Sequence, residues 1–444
     1  MEKDMFKDYT VEDHRKRLEN IRYVHKDSKG YQFKHLIHDY IQGHVFLPDK
    51  YFNDGDEANA FIEKLAKGGV GLVQPWSMIC EPATRWMHDE RKRMYRPDLE
   101  TAKKFIKMAH GYGMKVIPYT ASNYHERNCQ NFNNDWAYED LFDLGHHLAR
   151  CSPASPGWRD IILRQYTELM DEYGFDGIYN DTGYIRVHDA QFWQQYYGNG
   201  WKTAEDDVVA FEERDDYDGA MEDFLGLIYH EVHRRGGIIK LHKEGADTIF
   251  CDTKVYDYLT VGEAIRDIDF LRNKSKTHLP YVNTAFTYHL EYGEMERMLC
   301  SIPYMRFPSF QLDDTTGGPA EQQFPTADYL IPWLKLYQKM TVDGTWCFVD
   351  AKTPKIFSHN GEEVMSTYFA NLELYMVIAN FDYTPTEITL RDRFVEMDPF
   401  EGEKKIENKF TLPPRTMKVL RKIEDTYADT YTKMNHTEDL GGNF

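Results

Sequence analysis

The 444-residue chain lacks the features of membrane proteins, of disulfide-rich proteins and of proteins that bind zinc through cysteine. Its six cysteines are scattered, with no CxxC pair and no metal-ligand spacing, which predicts separate thiols in a reducing compartment. No stretch approaches the roughly 18 apolar residues of a membrane-spanning helix. The first residues, MEKDMFKDYT, contain no apolar core of a secretion signal. We therefore expect a cytoplasmic protein, unless a signal peptide has been removed.

Positive charge is also scarce. The chain has 53 Lys and Arg against 73 Asp and Glu, a formal net charge of -20 at pH 7. Contact with a nucleic-acid backbone or an anionic membrane needs local positive charge, so the composition argues against both partners. A neutral ligand fits better. Aromatic residues make up 15% of the chain, which suits a carbohydrate-binding cleft, although large barrels are rich in aromatics in any case.

Most of the chain alternates between helix and strand patterns. Helices are predicted over 54–67, 97–110 and 221–235, each followed by glycine and then by an apolar strand. No GxGxxG motif follows any strand. Eight strand and helix units in series predict a (β/α)8 barrel over about 34–343, rather than an open doubly wound sheet. The predicted strands lie within 35–47 and at 70–76, 114–120, 174–181, 238–242, 257–263, 279–288 and 306–312.

Four further segments complete the predicted organisation. Residues 1–33 form a lead-in with a helix capped by Thr10, and about 186–217 is longer than a barrel connection needs, which predicts an insertion over the catalytic face. Short strand patterns bounded by Asn-Gly, Asp and Pro predict a C-terminal antiparallel β-sandwich over 344–423. The acidic stretch 424–444 is predicted to be a polar tail.

The first candidate catalytic residue is Asp181. The sequence GFDGIYNDTGY begins at Gly174, after a helical segment, and its strand finishes on this carboxylate. The C-terminal ends of barrel strands open onto the catalytic face, so a carboxylate there favours catalysis. A capping or turn Asp is the alternative interpretation, and it is the one that we favour for Asp176.

Glu263, in TVGEA at the end of the predicted sixth strand, is the second candidate. Two strand-terminal carboxylates converge on one cavity, and glycoside hydrolysis needs such a pair, one ionised and one protonated. The alternative for Glu263 is a helix N-terminal residue favoured by the helix dipole. Glu244, just beyond the fifth strand, is a rival for the acid.

Other polar and aromatic residues at strand ends are candidates for sugar binding. Their side chains can donate or accept hydrogen bonds with sugar hydroxyls, or stack on a pyranose face. Each can equally be a structural polar group or a core aromatic. These residues are Trp76, Asn123, His125, Lys240 and His242.

The candidate carboxylates lie in segments that resemble known glycosidases. GFDGIYND is similar to the GFDGxxxD strand that bears the nucleophile in α-amylase-like and dextranase-like enzymes, and VGE resembles their acid/base strand. A barrel with a C-terminal β-sandwich also resembles the α-galactosidase and α-glucosidase clan, whose nucleophile and acid/base end the fourth and sixth strands. The resemblance implies a retaining glycoside hydrolase, acting on α-linked sugars, with Asp181 as nucleophile, Glu263 as acid/base and no organic cofactor.

The resemblance has departures that leave the sugar open. Tyr179 stands where the α-amylase pattern has Arg, and neither the Asn-His-Asp motif nor the lysine-containing nucleophile pattern of the clan is present.

Two other functions stay open at this point. One is a barrel that binds glycans without cleaving them. The other is a metal-dependent barrel hydrolase, suggested by a set of histidines, although no HxH motif closes the first strand as that class requires. These histidines are His35, His38, His44, His146, His147 and His242.

Overall fold

A computed structural model describes residues 9–25, 31–33, 43–75, 99–122, 124–126, 132–136, 148–181, 217–242, 255–261, 282–286, 294–311, 327–342, 344–349 and 356–423. The chain divides into two compact units. One consists of His38–Arg297 and Arg306–Leu334, and the other of Met1–Ile37, Met298–Met305 and Lys335–Phe444.

Seven α-helices are present in the described residues. They are α1 (Val11–His25), α2 (Asp56–Lys67), α3 (Leu99–Gly111), α4 (Pro156–Glu168), α5 (Tyr217–His233), α6 (Glu294–Leu299) and α7 (Ala327–Met340). A π-helical turn, Leu169–Tyr173, extends α4. In the part of the chain that the structure covers, no helix is both long and apolar enough to cross a membrane.

The strands of the described residues fall into several sheets. In chain order they are β1 (Tyr31–Phe33), β2 (His44–Leu47), β3 (Leu72–Pro75), β4 (Lys115–Val116), β5 (Tyr119–Ala121), β6 (Tyr124–Glu126), β7 (Leu148–Arg150), β8 (Gly177–Asp181), β9 (Ile238–His242), β10 (Tyr258–Val261), β11 (Val282–Phe286), β12 (Ser309–Gln311), β13 (Trp346–Val349), β14 (Phe357–His359), β15 (Val364–Ala370), β16 (Leu374–Asn380), β17 (Thr386–Leu390), β18 (Phe394–Asp398), β19 (Gly402–Lys405), β20 (Lys409–Leu412) and β21 (Thr416–Lys422).

The first unit is built on a parallel sheet whose order is β4-β3-β2-β12-β11-β10-β9-β8-β5. All eight predicted strands are present in it. The first and last strands of this sheet, β4 and β5, are separated only by Ile117 and Pro118. Both edge strands therefore belong to one segment of the chain. Ile117 N donates to Val73 O on one side, at 3.2 Å, and Tyr179 N donates to Pro118 O on the other, at 2.9 Å. This segment therefore bonds to the strands at both ends of the sheet.

The strand registers give the sheet a defined offset. Lys240 on β9 lies beside Tyr258 on β10 and beside Tyr179 on β8. We traced which position on β2 is level with Lys240. Going from β9 through β10, β11 and β12, the strand pairings place position 40 level with it. Going the other way, through β8, the 115–121 segment and β3, the strand pairings place position 48 of β2 level with Lys240. The two paths differ by eight residues, which is the shear of eight-stranded α/β barrels.

The N-terminal end of this sheet carries the same hydrogen-bonded arrangement twice. Asp176 Oδ2, just before β8, accepts from Val116 N at 2.8 Å and lies 2.7 Å from His110 Nε2. Asp257, just before β10, occupies the equivalent position. Its Oδ2 accepts from Ile239 N at 2.8 Å and lies 2.9 Å from Nε2 of His233, at the end of a helix. The prediction that Asp176 bonds to backbone amides is thus confirmed.

The charge on Asp176 contributes to stability. Burial alone would raise the pKa of its carboxyl, but hydrogen bonds from His110, Lys115 and the Val116 amide outweigh that effect, and the pKa lies below its ordinary value. A carboxyl with a depressed pKa stabilises the fold above about pH 4, its unfolded pKa. That contribution is lost as the pH falls through the depressed value.

The second unit contains two antiparallel sheets that share one hydrophobic core. Their orders are β1-β13-β15-β16-β21-β18-β19 and β14-β17-β20. Core residues come from both sheets, for example Tyr368 and Met376 from the larger and Ile388 and Leu412 from the smaller. All strands of these two sheets except β1 lie within 344–423, the range in which antiparallel strands were predicted.

The N-terminal helix belongs to this second unit. Ile21 and Val24 of α1 enter the shared core, and Arg17 Nε donates to Gly344 O at 2.8 Å. Thr10 caps α1 as predicted, since its Oγ1 accepts from Asp13 N at 3.1 Å. Strand β1 pairs with β13. From the sequence, residues 1–33 were predicted only as a lead-in, because the partner strand of β1 lies more than 300 residues away.

Gly177 provides a test of how tightly the parallel sheet is packed. Its φ is +146°, and a Cβ there would lie 1.9 Å from Ile238 O on β9. We expect Gly177→Ala to lower the free energy of unfolding by at least about 2 kcal/mol, through strain and steric overlap. The matched change Gly226→Ala on α5, where a Cβ meets no atom within 4 Å, should stabilise by about 0.5–1 kcal/mol. Urea titration measures both, and equal effects would contradict the described packing.

Candidate active site

Two of the predicted site residues end strands that the structure describes. Asp181 is the last residue of β8 and His242 the last of β9, and the structure describes their backbone but not their side chains. Trp76, Asn123 and Glu263 lie outside the described residues, as does the rival acid Glu244. Their predicted roles therefore stay predictions.

The register between strands shows which positions share a face. Asp181 lies beside Ala121, and Thr260 on β10 lies beside His242. Neighbours in register share a face of a sheet, and alternate positions along a strand do so too. Positions 258 and 260 therefore share the face of Lys240, and unbroken alternation would add Gly262 rather than Glu263. Strand β10 is described as far as Val261, and Glu263 lies outside the described residues.

Lys240 and His44 form a buried polar contact inside the parallel sheet. Lys240 is 1% exposed and His44 is 3% exposed. The ammonium group of Lys240 lies 2.7 Å from His44 Nδ1, a hydrogen-bonding distance. Burial, and next the charge on Lys240, lower the pKa of His44 well below its ordinary value, against a weaker opposing effect of Gln74. His44 is therefore neutral, and its ring nitrogen accepts the hydrogen bond.

Three buried aromatic rings surround this contact. Lys240 Nζ lies 4.5 Å from the centroid of the Phe46 ring and 5.1 Å from that of Tyr179. Tyr119 packs on Tyr179, with centroids 5.3 Å apart. A cation near an aromatic face is attracted by the ring quadrupole, more so where water is excluded. The lysine that the sequence suggested as a sugar binder is thus enclosed by protein groups.

A separate network fixes the backbone just before Asp181. Asn180 is fully buried, its Nδ2 donates to Ser122 Oγ at 2.9 Å, and its Oδ1 accepts from Tyr166 OH at 3.1 Å. Trp158 Nε1 donates to Ser122 O at 2.7 Å. Helix α4 is thereby bonded to the C-terminal ends of two neighbouring strands. Side chains that make such bonds hold the backbone next to position 181 in place.

His125, another predicted sugar binder, lies in an aromatic cluster. It is on β6, which pairs with β7, and its side chain is fully buried. Its ring lies 5.4 to 5.8 Å from those of Phe132, Trp136 and Trp158. These contacts give it a packing role, whereas its binding role stays a prediction.

The metal hypothesis gains no support from the described residues, which contain no group of three or more His, Cys, Asp or Glu able to hold an ion. Of the six histidines behind that hypothesis, His44 is the one with a described side chain, and its partner is Lys240. This pairing was not predicted from the sequence. Asn180 was not predicted either, because its partners come from another strand and a helix.

Comparisons with known proteins show the fold. No protein-family model matches the chain, and no curated protein matches its sequence. Solved structures do match: the α-amylase of Geobacillus thermoleovorans, complexed with acarbose, superposes with a TM-score of 0.56 at 12% identity over 88% of this chain and 100% of that chain. A maltogenic α-amylase from Thermotoga neapolitana gives a TM-score of 0.55 at 11% identity, over 87% of this chain and 100% of that chain.

A GH36 α-galactosidase from Geobacillus stearothermophilus, in complex with 1-deoxygalactonojirimycin, also matches, with a TM-score of 0.53 at 10% identity. The match covers 86% of this chain and 55% of the α-galactosidase chain. These neighbours are α-amylase-like glycoside hydrolases, of the barrel type with a C-terminal sheet domain. Identities this low show a common fold and do not by themselves assign an activity.

The Asn180 network gives a prediction on stability. Asn180→Leu should lower the free energy of unfolding by about 2–4 kcal/mol, because it leaves the buried hydroxyls of Ser122 and Tyr166 without their amide partner. Tyr166→Phe removes one of the two bonds and should cost about 1 kcal/mol. Thermal and urea unfolding of both variants would check this. A cost for Asn180→Leu no larger than that of Tyr166→Phe would show that the network does not hold the two strands.

Proposed function

We propose that this protein is a retaining glycoside hydrolase that acts on α-linked sugars, with Asp181 as nucleophile and Glu263 as general acid/base. The catalytic unit would be a closed (β/α)8 barrel, and the C-terminal unit a β-sandwich. The carbohydrate is the proposed partner, and neither a metal nor an organic cofactor is required. The observation that carries the proposal is an α-amylase-type fold in which the fourth parallel strand ends on Asp181.

Barrel closure is supported by the contact between Lys240 and His44. Their strands, β9 and β2, are four places apart in the sheet order. At about 4.8 Å between strands, a flat sheet would separate them by roughly 19 Å. Their side chains instead lie 2.7 Å apart. A sheet that curves until opposite strands face each other accounts for this distance.

The register supports the same conclusion independently. On a barrel with an offset of eight residues, the position level with Lys240 on the opposite strand lies midway between 40 and 48. That position is 44, and it is occupied by His44. On β8, Tyr179 is level with Lys240, and the next position on the same face is Asp181, at the C-terminal edge where barrel enzymes carry their chemistry. This supports an active site built around Asp181.

The proposed chemistry needs two carboxyl groups about 5–5.5 Å apart. The ionised Asp181 attacks the anomeric carbon and forms a glycosyl ester while the bond to the leaving oxygen breaks. Glu263, protonated, gives its proton to that oxygen. The resulting Glu263 carboxylate then takes a proton from water, which attacks the anomeric carbon and releases Asp181 and a sugar with retained configuration.

Substitution of Asp181 tests the nucleophile. Asp181→Asn should lower kcat/KM by at least about a thousandfold at near-normal thermal stability, because the attacking oxygen loses its charge. The control is Asp176→Asn at the other end of β8, which should lower stability and leave turnover per folded molecule near wild type. A screen of nitrophenyl α- and β-glycosides supplies the substrate. Near-normal hydrolysis by Asp181→Asn would rule out this nucleophile, and sugar binding without turnover by the wild type would favour a glycan-binding barrel.

A second pair of variants separates the candidates for the acid. An acid catalyst matters most for poor leaving groups, so Glu263→Gln should slow alkyl or natural glycosides far more than nitrophenyl glycosides. Glu244→Gln should change rates little. The ratio of kcat/KM for the two substrate classes is the measurement. If Glu244→Gln alone changes that ratio, the acid follows the fifth strand and our assignment of Glu263 is incorrect.

A further inference from the structure

Two exposed aromatic side chains lie at one end of the second unit. Tyr383, in the connection that follows β16, is 75% exposed, and Phe400, in the turn that follows β18, is 55% exposed. Strand β21 lies between β16 and β18 and runs antiparallel to both, so β16 and β18 end on the same side of the unit. Strands two places apart in a sheet are separated by about 10 Å. One extended ligand can therefore reach both connections.

Side-chain hydrogen bonds hold both connections in place. Asn380 Nδ2 donates to Thr384 O at 2.9 Å and to Pro413 O at 3.0 Å. Asp398 Oδ1 accepts from Phe400 N at 2.8 Å. A surface that is fixed before binding loses little conformational entropy when a ligand arrives. These bonds therefore prepare the two aromatic residues for binding.

Arg415, just before β21, lies between the two connections and has an unusual backbone conformation. Its φ is +54°, a value that residues other than glycine rarely adopt. Strain of this kind is found at functional sites, where the surrounding structure maintains it. The guanidinium of Arg415 lies over the Tyr383 ring, 4.9 Å from its centroid, and its Nη1 donates to Phe381 O at 3.1 Å. The strained residue therefore supports one face of the more exposed ring.

The chemistry of this end of the unit favours a neutral sugar chain as the ligand. Exposed aromatic groups that lie close together mark interaction sites, and the planar rings of binding sites stack on flat apolar surfaces such as a pyranose face. The neighbouring side chains of Glu362 and Glu401 are exposed, and the whole chain has a formal net charge of -20. This negative charge opposes the approach of a nucleic acid or another polyanion.

We propose that Tyr383, Phe400 and Arg415 form a second carbohydrate-binding surface, which takes a neutral polysaccharide and belongs to a different unit from Asp181. The choice of ligand class rests on the proposed function. A polymer that is held at one point meets a second site on the same protein at a raised effective concentration. The surface therefore increases the efficiency of the enzyme on long substrates and has no effect on small ones.

Affinity electrophoresis in gels that contain soluble starch, or dextran as a second probe, tests the proposal. At least one of these polymers should retard the wild type. Tyr383→Ala combined with Phe400→Ala should weaken the apparent affinity at least about fivefold, since an aromatic contact contributes a factor of about two or more. Tyr112→Ala, at an exposed tyrosine of the first unit, is the matched control and should change nothing. If the double variant does not fold, Arg415→Gly, which suits the same backbone conformation, should also weaken retardation.

Kinetics separate this surface from the proposed active site. The double variant should keep the wild-type kcat/KM for a nitrophenyl glycoside and lose kcat/KM for the polymer that retards the wild type. Equal retardation of the wild type and the variant, or no retardation of the wild type by either polymer, would overturn the proposal. Loss of self-association in the variant, measured by sedimentation and without any change in retardation, would identify a contact between two copies of the chain instead. Retardation that depends on these residues, in a wild type without glycosidase activity, would refute the proposed function and leave this surface standing.

Discussion

The contact between Lys240 and His44 joins two strands that are four places apart in a parallel sheet, and the arrangement of the first unit follows from the curvature that this contact requires. Curvature of that degree brings the C-terminal ends of strands distant in sequence to one rim. A carboxylate at the end of β8 can then act together with groups from β9 and β10. Without this curvature, the candidate residues would be spread along the edge of a flat sheet.

The two ends of the parallel sheet have different roles in this account. At the N-terminal end, Asp176 and Asp257 each join a strand amide to a histidine at the end of a helix. In both cases the histidine precedes the amide by six residues, as His110 precedes Val116 and His233 precedes Ile239. Repeated clamps of this kind secure the strands. The C-terminal end is then available for residues whose chemistry does not favour stability.

The sequence predicted the repeating part of the fold well, because strand and helix periodicity is local. Seven of the eight strands were expected within a few residues of their observed bounds, and the first only somewhere within 35–47. In GFDGIYND, Asp176 was expected to be structural and Asp181 to end the strand, and both lie where expected. Long-range partners were not predictable in this way. The pairing of Lys240 with His44, the joining of β1 to β13 and the bonds of Asn180 depend on tertiary contacts that no local pattern encodes. Glu263 lies outside the described residues, so its role as the acid stays a prediction.

The central claim is that the Asp181 carboxylate forms a covalent bond with the sugar. Mass spectrometry of the protein after reaction with a fluorinated glycosyl substrate, which slows release of the glycosyl enzyme, tests it most directly. The account predicts one sugar adduct, carried by the peptide that contains Asp181, and a first-formed product of retained configuration. An adduct on a different carboxylate, or turnover with inverted configuration and no adduct, would contradict it.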